Sequence, residues 1–418
     1  MTTAVRFVHA ADLHLAAPFA GVDADDPRVR DALVSATYEA LDAIVELCIE
    51  QAVDFLVVAG DVYNSAESPL RAELAFRNAC VRLADAGIRV FVAHGNHDPA
   101  SARSFGLEMP ETVHVFSASE VERIVFERDG EPVCALYGRS FARAAERDNL
   151  ALAFSRDPTD ALAVAVLHTN VGGRPGYEPY APCSLDDLEA ARMDYWALGH
   201  IHKPEVLSED PAIAYAGCAQ GLQPNESGPR GCRLVTLTTA GVTAEFVPTA
   251  RVVWSSVALD ARDALGVDGV RAVLARALDE CGAAAGGVPV IARLTIEGRS
   301  PSHAELVRPG VLADLLGEMR GEGMARDPWV WLDRVIDRTR PAIDLDSLRD
   351  AEDLAGDLVR IADSLATDDA RLEGIVASIS GPVFAALDRR EVVELDSADL
   401  LERARDVALD RLLAGDDS

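Results

Sequence analysis

The 418-residue chain has almost no lysine: of its 39 basic side chains only Lys203 is one, the rest being arginine. Genome composition accounts for that bias as readily as function does. Paired cysteines are missing too. Cys48, Cys80, Cys134, Cys183, Cys218, Cys232 and Cys281 are odd in number, scattered and never arranged as CxxC. That excludes a zinc ribbon and a disulfide framework and leaves reduced thiols, several of them inside apolar runs where a thiol behaves as a small hydrophobe. Long apolar runs are absent, the longest being strand-sized, such as Phe55 to Gly60, so no membrane-spanning helix is expected. Met1 to Val5 carries no basic patch leading into an apolar stretch, so no signal peptide is expected and the chain reads as cytoplasmic. Internal repeats and low-complexity runs are also lacking. Positive charge is in short supply, with 39 basic against 69 acidic residues and a net charge of −30. This argues against a surface that is one continuous nucleic-acid platform.

What is present is enough apolar residue, 49%, to build substantial cores, over a length that suits two or three domains. Residues 1–250 alternate strand-like runs with helical patterns. The strands are expected at Val5–Ala10, Asp54–Ala59, Arg89–Ala93, Val133–Tyr137, Leu162–His168, Tyr195–Leu198 and Gly231–Thr238, with helices over Arg28–Gln51 and Leu70–Ala86. Such alternation predicts an α/β layered domain. A smaller β-α-β-α-β unit is expected over 251–340, where charge is nearly balanced at 12 basic and 13 acidic residues. An acidic helical tail over 341–418 holds 8 and 20, with Ser397 read as the cap of its last helix and Gly415 as its end. Trp254, Trp329 and Trp331 read as packing residues rather than base-stacking ones. Arg334, Arg338 and Arg340 read as a solvated face paired with Asp333 and Asp337.

Five short segments carry the chemistry: Asp12-Leu13-His14, Gly60-Asp61, Gly95-Asn96-His97-Asp98, His168, and Gly199-His200-Ile201-His202. Each falls at the carboxyl end of a predicted strand, the edge on which open α/β sheets collect ligands. Residues two apart on an extended chain face one side, so Asp12 with His14, and His200 with His202, can address one ion. Carboxylate, imidazole and amide oxygen suit Mn²⁺, Fe²⁺ or Zn²⁺, and the missing thiolates argue against structural zinc. The glycines beside Asp61, Asn96 and His200 are expected to permit sharp turns and to leave room for a phosphate. Any one segment alone is usually a turn or a core residue; the five together, in this order, are not.

This order resembles that of the calcineurin-like metallophosphoesterases. The stretches Phe7–Leu15, Leu167–Gly173, Tyr180–Leu188 and Tyr195–Pro204 are similar to SbcD-type DNA repair nucleases, in particular their YhaO-like branch. The resemblance implies a four-layer α/β/β/α metallophosphoesterase sandwich (1–250) and a small α/β capping/DNA-binding-type domain (251–340); the acidic tail (341–418) reads most simply as a soluble helical extension, with a docking segment for a partner protein as its functional alternative. It implies two divalent ions, Mn²⁺ first, with Fe²⁺, Zn²⁺ or Mg²⁺ as alternatives. One would be held by Asp12, His14, Asp61 and His202, the other by Asp61, Asn96, His168 and His200, with Asp61 bridging. His97 would act on the transition state or leaving oxygen, with Asp98 fixing its tautomer and raising its pKa. The implied activity is phosphodiester hydrolysis by a DNA exonuclease or endonuclease subunit in repair. The implied partners are DNA and an SMC-like coiled-coil ATPase, with no membrane, and a homodimer is compatible.

Two departures bear on substrate. Relatives of this branch often carry basic residues in the segment that reads Gln220 to Glu226 here, which has none, and a histidine where this chain has Tyr177. Fewer cationic contacts mean a weaker, more salt-sensitive hold on a phosphate backbone. A phosphatase, or a phosphodiesterase for small molecules or cyclic nucleotides, is the alternative. The protein-phosphatase option is lowered because no arginine follows Gly60-Asp61 closely. A non-catalytic subunit would have no need of seven clustered ligands.

Overall fold

The structure, a computed structural model, describes residues 4–64, 69–103, 105–174, 176–384 and 396–413. The first sheet is laid down by β1 (Ala4–Ala10), α1 (Pro27–Glu50), β2 (Phe55–Ala59), α2 (Leu70–Asp85), β3 (Arg89–Ala93) and β4 (Val113–Val115). Its strands β1 to β4 run parallel. Parallel strands need crossovers, and α1 and α2 supply them. The Asp26 carboxylate caps α1, accepting from Arg28 N at 2.8 Å, and Pro27 takes the first helical position, where a missing N–H costs nothing.

The second sheet follows with β5 (Glu122–Arg128), β6 (Glu131–Arg139), β7 (Ala163–His168), α3 (Leu185–Ala190), β8 (Tyr195–Gly199), β9 (Glu205–Glu209) and β10 (Ala212–Tyr215). Here β6, β7, β8 and β10 are the parallel strands, with β5 and β9 antiparallel at the edges. The chain then returns to the first sheet through β11 (Gly231–Thr238) and β12 (Gly241–Pro248), giving the order β12-β11-β1-β2-β3-β4.

Between the sheets lies a dry core in which Phe7, Phe55, Val57 and Phe91 meet Val164, Val166, Tyr195 and Ala197. The outer face of the first sheet is covered by Leu41, Ile44, Phe76 and Leu83 of α1 and α2. Leu150 and Ala151, in a single helical turn, and Leu188 of α3 cover Trp196, Leu198 and Ile213 on the other side. The result is the α/β/β/α layering expected. His9 crosses the central layer, its ring nitrogens 2.9 Å from the Tyr195 hydroxyl and 3.2 Å from the Leu198 carbonyl. Burial, with the Arg233 charge, lowers its pKa to about 3, so it is a neutral structural imidazole.

After β12 come β13 (Val253–Asp260), α4 (Gly266–Ala284), β14 (Val290–Ser300), α5 (His303–Leu306), α6 (Val311–Met324) and β15 (Val330–Pro341), whose strands form a sheet in the order β13-β14-β15. The tail holds α7 (Leu345–Arg349), α8 (Leu354–Ala366), α9 (Asp369–Phe384) and α10 (Ser397–Leu413). Two compact units emerge: Met1–Ser256 with Glu280–Arg293 and Gly323–Asp333, and Val257–Asp279 with Leu294–Glu322 and Arg334–Ser418. Among the described residues no helix is long and apolar enough to cross a membrane.

Three local readings need correction or fall away. Asp396, not Ser397, caps α10, its carboxylate accepting from Ala398 N at 2.9 Å; Gly415 lies outside the described residues. Asp333 is taken by Arg293 at 2.7 Å, and Asp337 by the amide and hydroxyl of Thr339. Arg334 and Arg338 are exposed, as a solvated face requires, whereas Arg340 pairs with Asp399 and Glu402 of α10. Trp254 and Trp331 are buried among Val29, Ile291 and Met324, as packing residues.

Candidate metal centre

The carboxyl ends of β1, β2 and β3 in one sheet meet those of β7 and β8 in the other, so residues far apart in sequence converge on one rim. Asp12 and His14 follow β1, Asp61 follows β2, Asn96 to Asp98 follow β3, His168 ends β7, and His200 and His202 follow β8. The loops are tied together by Asp12 N on Gly60 O and His14 N on Asp61 O, both 3.0 Å, and by His200 N, 3.1 Å from each Asp12 carboxylate oxygen. Asp12, His14, Asp61 and His200 have φ of 49°, 44°, 53° and 96°. L residues disfavour that region by about 1–3 kcal/mol each, so the surrounding bonds are holding strain in order to aim these side chains.

Hydrogen bonding fixes most of the tautomers. His168 Nδ1 sits 2.9 Å from the Ala59 carbonyl, which can only accept, so the proton is on Nδ1. Its Nε2 lone pair then faces two further acceptors, Asn96 Oδ1 at 3.0 Å and Asp61 Oδ2 at 3.4 Å. His200 gives its Nε2 proton to Glu178 O at 2.8 Å. His202 Nδ1 lies 2.6 Å from Glu226 Oε1, and its Nε2 lies 3.1 Å from His14 Nε2. His14 Nδ1 is buried without a hydrogen-bond partner, while its Nε2 is 3.8 Å from Asp61 Oδ2. Electron pairs aimed at one another across 3–4 Å are unfavourable unless a cation or a proton stands between them.

The charges agree. Burial pushes Asp12 up to about 8 and Asp61 up to about 6, the latter helped by Asp98. Burial also lowers His168 to about 4, and His200 to about 4 with the neighbouring His168 contributing. His14 is held well below its ordinary value by burial and by His202. For His202 burial acts downward, yet its hydrogen bond to Glu226 and the Asp12 charge carry it upward. Imidazoles held neutral at His14, His168 and His200, converging with reluctant carboxylates, form a donor set suited to divalent cations. Asp12, Asp61 and His168 can address one ion, as can Asp12, His14 and His202.

Not every expectation survives in detail. His97 is at the rim, its ring centroid 5.0 Å from that of His14, but Asp98 does not orient it. His97 Nδ1 is held by the Asn64 carbonyl at 2.7 Å. Asp98 instead accepts from the amides of Asp61, Val62 and Gly95 and lies 3.5 Å from His94 Nδ1, so it shapes the loops. The glycines also meet a need inside the centre itself. A Cβ at Gly60 would stand 2.3 Å from His168 Nδ1, at Gly95 2.3 Å from Asp61 Oδ1, and at Gly199 1.8 Å from Ala59 O and 2.9 Å from His168 Nδ1. The space they leave is filled by His168, Asp61 and the Ala59 carbonyl. Gly199→Ala should therefore cost about 3 kcal/mol. Thermal denaturation should read this as a Tm lower by about 6–12 °C; an unchanged Tm would contradict the crowding.

Sequence reasoning missed Glu226 and the carbonyls of Ala59, Asn64 and Glu178. A carbonyl leaves no trace in sequence. Glu226 sits in a segment noted only for its lack of basic residues.

Comparison with known proteins fits this geometry. Residues 5–204 match the calcineurin-like phosphoesterase family, and residues 254–340 match the middle domain of metallophosphoesterase YhaO. The chain is 32% identical over 349 residues to metallophosphoesterase YhaO of Bacillus subtilis, covering 83% of this chain and 85% of that one. It is 28% identical to one of the subunits of nuclease SbcCD from Bacillus subtilis, over 54% of this chain and 62% of the relative. It is 27% identical to the DNA double-strand break repair protein Mre11 of Methanocaldococcus jannaschii, over 53% and 58%. This chain belongs to the calcineurin-like metallophosphoesterases, in the YhaO family, and is a metal-dependent phosphoester hydrolase.

Proposed function

We propose that the chain is a Mn²⁺-dependent nuclease subunit that hydrolyses DNA phosphodiesters in repair. The observation that carries this reading is the shared position of Asp61. Its Oδ2 is 3.4 Å from His168 Nε2 and 3.8 Å from His14 Nε2, so one carboxylate serves two groups of donors. Asp12, His14, Asp61 and His202 would hold one cation; Asp61, Asn96, His168 and His200 the other. Two such cations supply charge to the attacking and leaving oxygens of an in-line displacement and acidify a water. The chain's own residues do the rest. His97, its Nδ1 tied to Asn64, can present Nε2 to the departing oxygen. Asp98 keeps the Asp61 and Gly95 loops in place through three amides.

A nucleic-acid substrate is favoured by the rings beside His200: Tyr177 at 5.8 Å and Tyr180 at 5.9 Å, with the Arg147 guanidinium 5.5 Å from the Tyr180 ring. Aromatic rings with a cation beside them suit the stacking of unpaired bases. The names of the SbcCD and Mre11 relatives support DNA as well, and assembly with an SMC-like coiled-coil ATPase belongs to the same reading. Purified protein with Mn²⁺ should cleave linear and single-stranded DNA, monitored on denaturing gels. Faster turnover of cyclic dinucleotides or small phosphodiesters, with DNA left intact, would replace this substrate by the alternative one.

A further inference from the structure

Among the centre's imidazoles as described, His202 alone rests on a carboxylate. His168 and His200 give their protons to the backbone carbonyls of Ala59 and Glu178, and His14 Nδ1 has no hydrogen-bond partner. Behind His202 stands Glu226, 4% exposed, with Oε1 2.6 Å from Nδ1. The carboxylate is fixed from its other sides too: Leu222 N donates to Oε2 at 2.6 Å and Gln223 Nε2 to Oε1 at 2.9 Å. This locks the ring with Nε2 turned to His14 Nε2 at 3.1 Å and Asp12 Oδ1 at 4.0 Å.

His202, Cys218 and Glu226 lie close enough together to suggest a third cation position. The chemistry does not favour it. A gap of 2.6 Å between nitrogen and carboxylate oxygen is a hydrogen bond filled by a proton, and burial keeps the Cys218 thiol protonated, well above its ordinary value. The role of Glu226 is therefore to act through His202.

The consequence is an asymmetry of charge. The position addressed by Asp12, His14 and His202 has shares of Asp12 and Asp61 and, in addition, Glu226 behind the imidazole. The position that Asp61 and His168 address, to which Asn96 and His200 are assigned above, also has Asp12 within reach, but its imidazoles are backed by the backbone carbonyls of Ala59 and Glu178 and by no carboxylate. A carboxylate behind a ligating histidine orients the ring and makes it a stronger base. We infer that Glu226 is a positioning residue that makes the His202 cation position the tighter of the two, so that the centre fills in order. This rests on the two-cation reading above.

The test is a calorimetric titration of metal-free protein with Mn²⁺. Wild type should show two unequal steps. In Glu226→Gln the tighter step should weaken by about 10–100-fold, as loss of such a partner does elsewhere, while the weaker step moves by less than about threefold. Equal steps in wild type, two unchanged steps in the variant, or both steps weakened alike would overturn the inference. No Mn²⁺ binding by wild type would instead bring down the two-cation reading itself. Should Glu226→Gln fail to fold by circular dichroism, histidine ¹⁵N–¹H correlation spectra of wild type decide. His202 protonated on Nδ1, with a strongly downfield proton, supports the role, and His202 protonated on Nε2 alone overturns it.

Discussion

Asp61→Asn is expected to lower phosphodiester hydrolysis by at least about a thousandfold, on the order of 4 kcal/mol of transition-state stabilisation. The amide keeps the shape and one acceptor oxygen, but it has no net charge to share between two donor groups. His97 N, 2.9 Å from Asp61 Oδ1, retains an acceptor if the amide oxygen takes that place. The fold should therefore survive, and its metal-free stability at neutral pH should not fall. Burial lifts Asp61 to about 6 from an ordinary carboxylate value near 4, so the folded chain holds this proton more tightly than the unfolded one. That contribution is fully present below the unfolded value and is lost as pH rises through about 6, leaving an ionised carboxylate that is a burden without a cation. The variant removes this burden along with most of the cation binding. Calorimetry should show a Tm for metal-free Asp61→Asn equal to or above wild type, together with loss of most of the Tm gain that Mn²⁺ gives wild type. A variant that keeps the full Mn²⁺-induced gain, or retains more than a tenth of the activity, would contradict the bridging role.

The parts of the fold that position this site were the easiest to read. Interior strands such as Phe55–Ala59 and, after its first residue, Arg89–Ala93 are buried on both faces, so they read as apolar runs with an obvious end. Because the chemistry lies just past those ends, the five segments could be placed with the strands. The edges were not legible. Three-residue β4, and β5 and β9 with the sequences ERIVFER and EVLSE, are short or half exposed and carry charge, so pairing with a neighbour rather than pattern makes them strands. In the site, residue identity revealed donors but not their orientation. The oxygens that set the His168, His97 and His200 tautomers belong to backbone groups, and every residue has one. The crowding that requires glycine at 60, 95 and 199 comes mainly from residues on other loops and strands, His168, Asp61 and Ala59, a relation set by the packing of one sheet on the other. Adjacency also misled: Asp98 follows His97 in sequence, yet the turn sends its carboxylate back to Asp61, Val62 and Gly95.

His97→Ala should separate chemistry from cation binding. His97 Nδ1 donates to the Asn64 carbonyl, which leaves Nε2 as the atom able to carry a proton to or from substrate. Its backbone amide, not its ring, contacts Asp61 Oδ1, and an alanine keeps that amide. The ring of His97 stands edge-on to His14, however, and His14, Asp61 and His97 lie close enough to share an ion, so a ligand role is the competing account. If His97 acts as an acid on the departing oxygen, the variant should bind Mn²⁺ as wild type does. Its kcat on DNA, whose alkoxide leaving group needs a proton, should fall by about 10²–10⁴, the usual range for a positioned general acid. With a p-nitrophenyl phosphodiester, whose leaving phenolate needs no proton, the loss should shrink to within about tenfold, because protonation then contributes little to the barrier. Equal losses on both substrates together with weakened Mn²⁺ binding would make His97 a ligand. Equal losses with Mn²⁺ binding intact would place its contribution on the phosphoryl oxygens rather than on the leaving group.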